Sequence, residues 1–333
     1  MDNYVAFPGL GIDRIPLSET LVEFPLFGMT VNIRWYGFLI AMGFALALIY
    51  AFRQAPKVGI NRDRMLDVVL VTAVVAVLCA RLYYVFFSDH VADYLAHPEK
   101  IFAIWDGGLA IYGGIIAAFL MGALMCRWRK VNTFALFDLA VVGFAIGQGI
   151  GRWGNFFNQE AYGINTDLPW GMVGNQIVGE PVHGMPVHPT FLYESLWCLL
   201  GALLLHVMFK KFYYFHGQLF GAYLIWYGVE RSFVEGLRTD SLFIPGTPIR
   251  VSQAVSLLAI VGGAVFLFFM FRRAKKAGLT RVAFVTAAES EEVAPEEAKP
   301  TITLQEETVE EISTEETISE ETTEEDDEHG KDH

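Results

Sequence analysis

The segment FALFDLAVVGFAIGQGIGRWGNFFNQEAYG (134–163) decides how the rest of the chain is read. It begins as an apolar run of the kind that fills the middle of a membrane helix. From Gly147 it turns into glycines, an arginine, two asparagines, two glutamines and a glutamate. Arg152, Asn155, Asn158 and Glu160 fall within nine residues, between glycines that let backbones approach closely. The expectation is a membrane span that ends near residue 150 and delivers a polar cluster to one membrane face.

Working outward, the chain has 333 residues, 53% of them hydrophobic and 14% aromatic. Its mean hydropathy of +0.38 is too apolar for an ordinary soluble globule of this length. The formal net charge of -13 does not describe the body. Residues 286–333 hold 19 Asp/Glu and 2 Lys, and the remainder holds 18 Asp/Glu and 22 Lys/Arg. Dense like charge and few aromatics predict a disordered, solvated tail over 285–333, following a membrane domain over 1–284. The three cysteines, Cys79, Cys126 and Cys198, lie in apolar runs and read as packing residues. The first 20 residues lack a basic start followed by an apolar core, so no cleaved signal peptide is expected.

A bilayer core takes about 20 mostly apolar residues per helix. Seven stretches qualify: 37–53, 66–87, 108–126, 132–150, 191–209, 217–234 and 252–271. The fold class predicted is therefore all-α, a polytopic seven-helix bundle. The loops after spans one, three, five and seven hold 14 Lys/Arg, and the alternate segments hold four: Lys100, Arg152, Arg238 and Arg250. Basic loops stay cytoplasmic. The N-terminus is thus expected outside, the C-terminus inside, and a small cap over 151–190 at the outer face.

Ionisable residues inside spans usually face a protein interior or a wet cavity. Span direction places Arg81, Arg152, Glu194, Arg231 and Glu235 at one depth, the outer leaflet. Tyr227, Arg231 and Glu235 are four apart and share a helix face. Asp138 does not fit that layer and reads as a helix-pairing group. Arg238 and Arg250 read as interfacial snorkelling side chains. Trp35 and Tyr36 suit either an aromatic belt or the site. Arginines beside glycines suit a phosphate ester at headgroup level, and interhelical ion pairs are the structural alternative. His183 and His188 lack the helical HExxH context of a metal site.

GRWGNFFNQEAYG (151–163) closely resembles the signature of bacterial prolipoprotein diacylglyceryl transferases. IRWYGFLIAMGF (33–44), ARLYYVFF (80–87), WDGGLAIYGG (105–114), HPTFLYE (188–194) and YGVERSFVEGLR (227–238) agree in order. The resemblance implies transfer of the diacylglyceryl group of phosphatidylglycerol to the lipobox cysteine thiol of a prolipoprotein. It implies the bacterial cytoplasmic membrane as location and phosphatidylglycerol, prolipoprotein signal peptides and the bilayer as partners. No nucleic acid, metal or organic cofactor is expected. Carried over by residue, it implies phosphatidylglycerol binding by Arg152, Gly154, Asn155, Tyr227 and Arg231. Catalytic roles fall to Arg231, Glu160, Glu235, Tyr112 and Tyr36. Many members carry a histidine where this chain has Tyr112, so the thiol's base is open among Glu160, Glu235 and His188. A transporter would favour internal repeats and midplane broken helices, and an intramembrane protease would need a serine or paired-aspartate motif. Neither pattern is found in the sequence.

Overall fold

The computed structural model describes residues 3–282 and 284, apart from positions 27, 28, 89, 90, 104–106, 178–181, 183, 245 and 279. The acidic segment 285–333, expected to be disordered, and His183 lie outside the described residues.

Among the described residues, seven helices of 18 residues or more carry the architecture. They are α1 (Trp35–Gln54), α2 (Arg62–Phe87), α4 (Ile111–Trp128), α5 (Thr133–Asn158), α6 (Thr190–Lys211), α7 (Gln218–Leu237) and α8 (Val251–Lys276), with a short α3 (Val91–Ala96). Each matches one expected apolar stretch within a few residues, except at the end of α5. Five helices are long and apolar enough to cross a membrane: Trp35–Val58, Arg62–Phe87, Thr133–Asn158, Thr190–Lys211 and Val251–Lys276. The chain is a helical membrane protein, and large apolar side chains such as Leu258 and Phe269 point outward from α8.

Local chemistry sets the helix ends. Asn61 accepts from the N–H groups of Asp63 and Arg64 at 2.9 and 3.0 Å, and Asn132 accepts from that of Ala135 at 3.0 Å. Both are side-chain N-caps that satisfy donors left open by helix geometry. Asp138 of α5 caps α7 from outside. Its carboxylate accepts from the N–H groups of Gly217 and Phe220 at 2.6 and 2.8 Å and from the Tyr213 hydroxyl at 2.7 Å. The last described residues return to this end: the Val282 N–H donates to Tyr213 O at 2.9 Å, and Phe284 packs on Phe209 and Tyr213.

The all-α expectation needs correction. Among the described residues there are five strands: β1 (Tyr4–Phe7), β2 (Ile12–Pro16), β3 (Thr20–Leu26), β4 (Met29–Arg34) and β5 (Val173–Gly174). β1 sits between β2 and β5 in one antiparallel sheet, and β3 and β4 form a separate hairpin. The cap is therefore built from two distant parts of the chain. Its core joins Val5, Met172, Ile177, Val182 and Val187 to Phe156 of α5 and Phe191 of α6. Its boundary also shifts. α5 runs on to Asn158, so Arg152, Asn155 and Asn158 are helical and the cap proper begins at Gln159. The glycines do not break the helix because neighbouring helices fill the space beside them.

Candidate active site

Those glycines bring α5 into close contact with α1 and α6. A β-carbon on Gly43 would stand 3.0 Å from Gly147 Cα, and one on Gly149 would stand 2.8 Å from Leu199 Cγ. The Ser195 hydroxyl donates to Gly149 O at 2.7 Å, and the Trp153 indole N–H donates to Ser195 Oγ at 3.1 Å. The tight α5–α6 seam sets Arg152 beside Glu194. On the α1 side, the Tyr36 ring occupies the space a side chain at Gly154 would need. Trp35 stacks on Phe157 with ring centroids 4.7 Å apart, so the start of α1 is tied to the end of α5.

The charged groups form a chain across three helices. Arg152 Nε meets Glu194 Oε2 at 2.8 Å, Glu194 Oε1 accepts from Arg231 Nη1 at 2.9 Å, and Arg231 Nη2 meets Glu235 Oε2 at 2.6 Å. The Glu194 and Glu235 side chains are 1% and 2% exposed, and those of Arg231 and Arg152 are 15% and 22% exposed. Two guanidinium and two carboxylate groups cancel formally, as charges taken out of water require. The pairing is uneven. Arg231 spends both terminal nitrogens on glutamates. Arg152 meets Glu194 through Nε, and among the described residues its Nη1 and Nη2 donate no hydrogen bond. A fork anchored at one edge and open at the other suits a two-oxygen anion such as a phosphodiester. Tyr227 lies one turn before Arg231, stacked on Tyr223, whose hydroxyl donates to Gln148 at 2.7 Å.

Glu160 stands apart from the arginines. It is exposed, and its Oε1 accepts from the amides of Asn155 and Asn158 at 2.9 and 3.1 Å. The asparagines of the signature thus orient its glutamate. His188 meets the Tyr193 hydroxyl through Nδ1 at 3.1 Å, and burial pushes its pKa below the ordinary histidine value. Tyr112 makes no hydrogen bond among the described residues. It sits at the start of α4, which packs along α2, with Gly113 against Tyr83.

Arg81, expected at the depth of these charges, makes no ion pair with them among the described residues. It is buried and donates to the carbonyls of Lys100, Ile101, Gly107 and Gly108 at 2.7, 2.9, 2.8 and 3.0 Å, clamping the loop that leads to α4. A guanidinium has donors enough to bind a whole loop, and this one finds carbonyls rather than carboxylates. Nor does Arg238 snorkel. Its side chain is 13% exposed and grips Asp240 at 2.8 and 2.6 Å, while its backbone bridges to Gly163 of the cap. Burial opposes the Asp240 carboxylate, but the bonds and charge of Arg238 outweigh it and hold the pKa below the ordinary aspartate value. Glu194, expected at this depth without a binding or catalytic role, is the central carboxylate. Its signal was a glutamate one turn into an otherwise apolar helix.

Fold and site together define a helical membrane protein with a buried, charge-balanced arginine–glutamate chain under a small cap. The chain belongs to the prolipoprotein diacylglyceryl transferase family, whose model matches residues 24–269. It is similar to phosphatidylglycerol–prolipoprotein diacylglyceryl transferases from several bacteria. With that of Clostridioides difficile strain 630 it shares 39% identity over 254 residues, covering 76% of this chain and 96% of the relative. The Finegoldia magna protein is 43% identical over 245 residues, covering 73% and 93%. The Limosilactobacillus reuteri strain DSM 20016 protein is 41% identical over 245 residues, covering 72% and 88%.

Proposed function

We propose that this chain transfers the diacylglyceryl group of phosphatidylglycerol to the lipobox cysteine of prolipoproteins, the first step of lipoprotein maturation. The observation that carries the reading is the Arg152–Glu194–Arg231–Glu235 chain, with the open edge of Arg152 facing an incoming anion. In this reading α4 and α7 also span, making seven. At 18 and 20 residues they reach about 27 and 30 Å, enough for the hydrocarbon core with anchored ends. The N-terminus and cap lie outside, and residues 285–333 form a cytoplasmic tail.

The chemistry follows from the arrangement. The phosphodiester of phosphatidylglycerol takes the two free Arg152 nitrogens, with Asn155 and Tyr227 beside the headgroup. The cysteine sulfur attacks the glyceryl carbon that carries the phosphate. A sulfur–carbon bond forms, the carbon–oxygen bond breaks, and glycerol phosphate leaves with the bond's electron pair. Arg152 and Arg231 stabilise the charge that grows on the leaving phosphate, where fixed cations in a water-poor site act strongly. The thiol's proton must leave, since thiolate is the nucleophile. Glu160 is the best-placed acceptor: it is exposed, oriented by two asparagines and not committed to an arginine. Glu235 is held by Arg231 and acts by positioning it. Tyr36, packed on Gly154, forms the wall between Arg152 and lipid, and Tyr112 orients substrate.

The test is direct. Purified protein incubated with phosphatidylglycerol and a lipobox peptide is expected to yield a diacylglyceryl adduct on cysteine, read by mass. No adduct, with an Arg152→Ala variant indistinguishable from the unaltered chain, overturns the reading.

A further inference from the structure

The β3–β4 hairpin contributes nothing to the cap core and contacts no charged group of the ion chain, yet its pattern is ordered. Val22 pairs with Ile33 and Phe24 with Val31, while Glu23 pairs with Asn32 and Pro25 with Thr30. Partners directly opposite in an antiparallel ladder point to the same face, and residues two apart share it. One face therefore carries Val22, Phe24, Val31 and Ile33, and the other Glu23, Pro25, Thr30 and Asn32.

Among the described residues the apolar face stays largely open, with Val31 half-buried. Val22 is 45% exposed, and Phe24 and Ile33 are each 37% exposed. A two-stranded hairpin is marginal by itself in water, and an apolar strand pair left open is an aggregation hazard. This hairpin is also firmly based. The Trp35 N–H donates to Glu19 O at 2.9 Å, and Glu19 Oε1 accepts from the Gln176 amide of the cap at 3.1 Å. Its last strand runs into α1 with no linker, Arg34 closing β4 and Trp35 opening the helix. From there α1 presents Phe38, Ile40 and Phe44 outward, each more than two-fifths exposed. On a membrane helix those side chains meet lipid. The apolar hairpin face thus continues, along the chain, a surface that is already lipid-facing.

We propose that this hairpin is a membrane-contact paddle, its Val22–Phe24–Val31–Ile33 face seated at the headgroup–acyl boundary of the leaflet on the cap side. Apolar side chains partition to that boundary while polar groups stay in the headgroup water. The occupant is a lipid surface rather than a second copy or a peptide, because the apolar face continues into α1 and the opposite face is polar. The paddle has a role for the proposed reaction. It fixes how deep Tyr36 and Arg152 sit below the headgroups, through the Trp35–Phe157 stack and the Tyr36–Gly154 contact. The inference rests on the membrane placement of the bundle, and its first test does not depend on turnover.

An environment-sensitive fluorophore is attached at F24C or at E23C, in full-length chains with Cys79, Cys126 and Cys198 replaced by alanine. Each protein is reconstituted in phosphatidylcholine–phosphatidylglycerol vesicles. The F24C probe is expected to be quenched several-fold more by a shallow acyl-chain nitroxide lipid than by aqueous iodide, and the E23C probe the reverse. Equal iodide quenching at both sites overturns the proposal. So does shielding at F24C that appears only on adding lipobox peptide, or only at high protein-to-lipid ratio, which would make the occupant a peptide or a second copy. The second arm reads turnover of a Val22→Asp/Phe24→Asp variant. A loss of tenfold or more in vesicles, with near-normal turnover in phosphatidylglycerol–detergent micelles, supports the depth-setting role. An equal loss in both media, or none in either, removes that role.

Discussion

Glu194 holds Arg231 at 2.9 Å with one carboxylate oxygen while its other oxygen meets Arg152 at 2.8 Å. One buried carboxylate from α6 thus spaces a guanidinium of α5 from a guanidinium of α7. Replacing it by the isosteric amide tests that role. Glu194→Gln leaves Arg152 facing a neutral group and Arg231 with Glu235 alone, and breaking a buried pair from one side costs about 3–5 kcal/mol. The expected result is a lowered melting temperature and turnover reduced by at least two orders of magnitude. Glu194→Asp, which keeps the charge, is expected to recover part of both.

Arg152→Lys separates charge from shape. A lysine keeps a cation near Glu194 but lacks the fork that takes two phosphate oxygens. Apparent affinity for phosphatidylglycerol is expected to fall about tenfold, about 1.4 kcal/mol, with little change in melting temperature. Unchanged affinity would move the lipid phosphate to another group.

Gly154→Ala places a methyl group where the Tyr36 ring lies. Overpacking of this kind costs about 1–3 kcal/mol. Turnover is expected to drop more than stability, because the ring is displaced from the wall beside Arg152. Paired kinetic and thermal-unfolding measurements distinguish the two.

The proton acceptor is tested by two substitutions read together. Glu160→Gln is expected to keep phosphatidylglycerol binding and lose most turnover, with the remaining rate rising as pH supplies thiolate directly. Tyr112→Phe is expected to retain substantial turnover. Near-complete loss in Tyr112→Phe with lipid binding intact would transfer the chemical role to the phenol.

Asp240 gives an acid-side signature. Its folded pKa lies below the unfolded value of about 3.9. The group therefore contributes stability that is present above the unfolded value and lost as pH falls through the folded one. In a thermal-unfolding series descending from neutral pH to below pH 4, Asp240→Asn is expected to flatten the low-pH decline. It is also expected to loosen the cap, because Arg238 sits at the Gly163 bridge.

The helices were legible because long apolar runs leave few alternatives. The convergence of Arg152, Arg231 and Glu235 followed from span direction together with four-residue spacing. Three things were not legible. Whether an intramembrane arginine meets a carboxylate or a carbonyl depends on the facing element, which separates Arg231 from Arg81. The end of α5 lies eight residues beyond the expected one because polar residues after 150 read as leaving the span, whereas the helix continues to Asn158 with the gaps at its glycines filled by side chains or backbone of α1 and α6. The N-terminal strands were missed for a different reason. Period-two alternation is present in TLVEFPL and MTVNIR, but Pro25 weakens a strand reading. The second partner of β1, Val173–Gly174, lies more than 160 positions away.

At the opposite end from the ion chain, Val282 and Phe284 lie over Tyr213, which has no exposed surface. The packed body accordingly runs past the end of α8 at Lys276, at least as far as Phe284. A truncation after Lys276 would uncap a buried tyrosine and loosen the Asp138-bound turn that starts α7. Any shortening that keeps Val282 and Phe284 spares that contact.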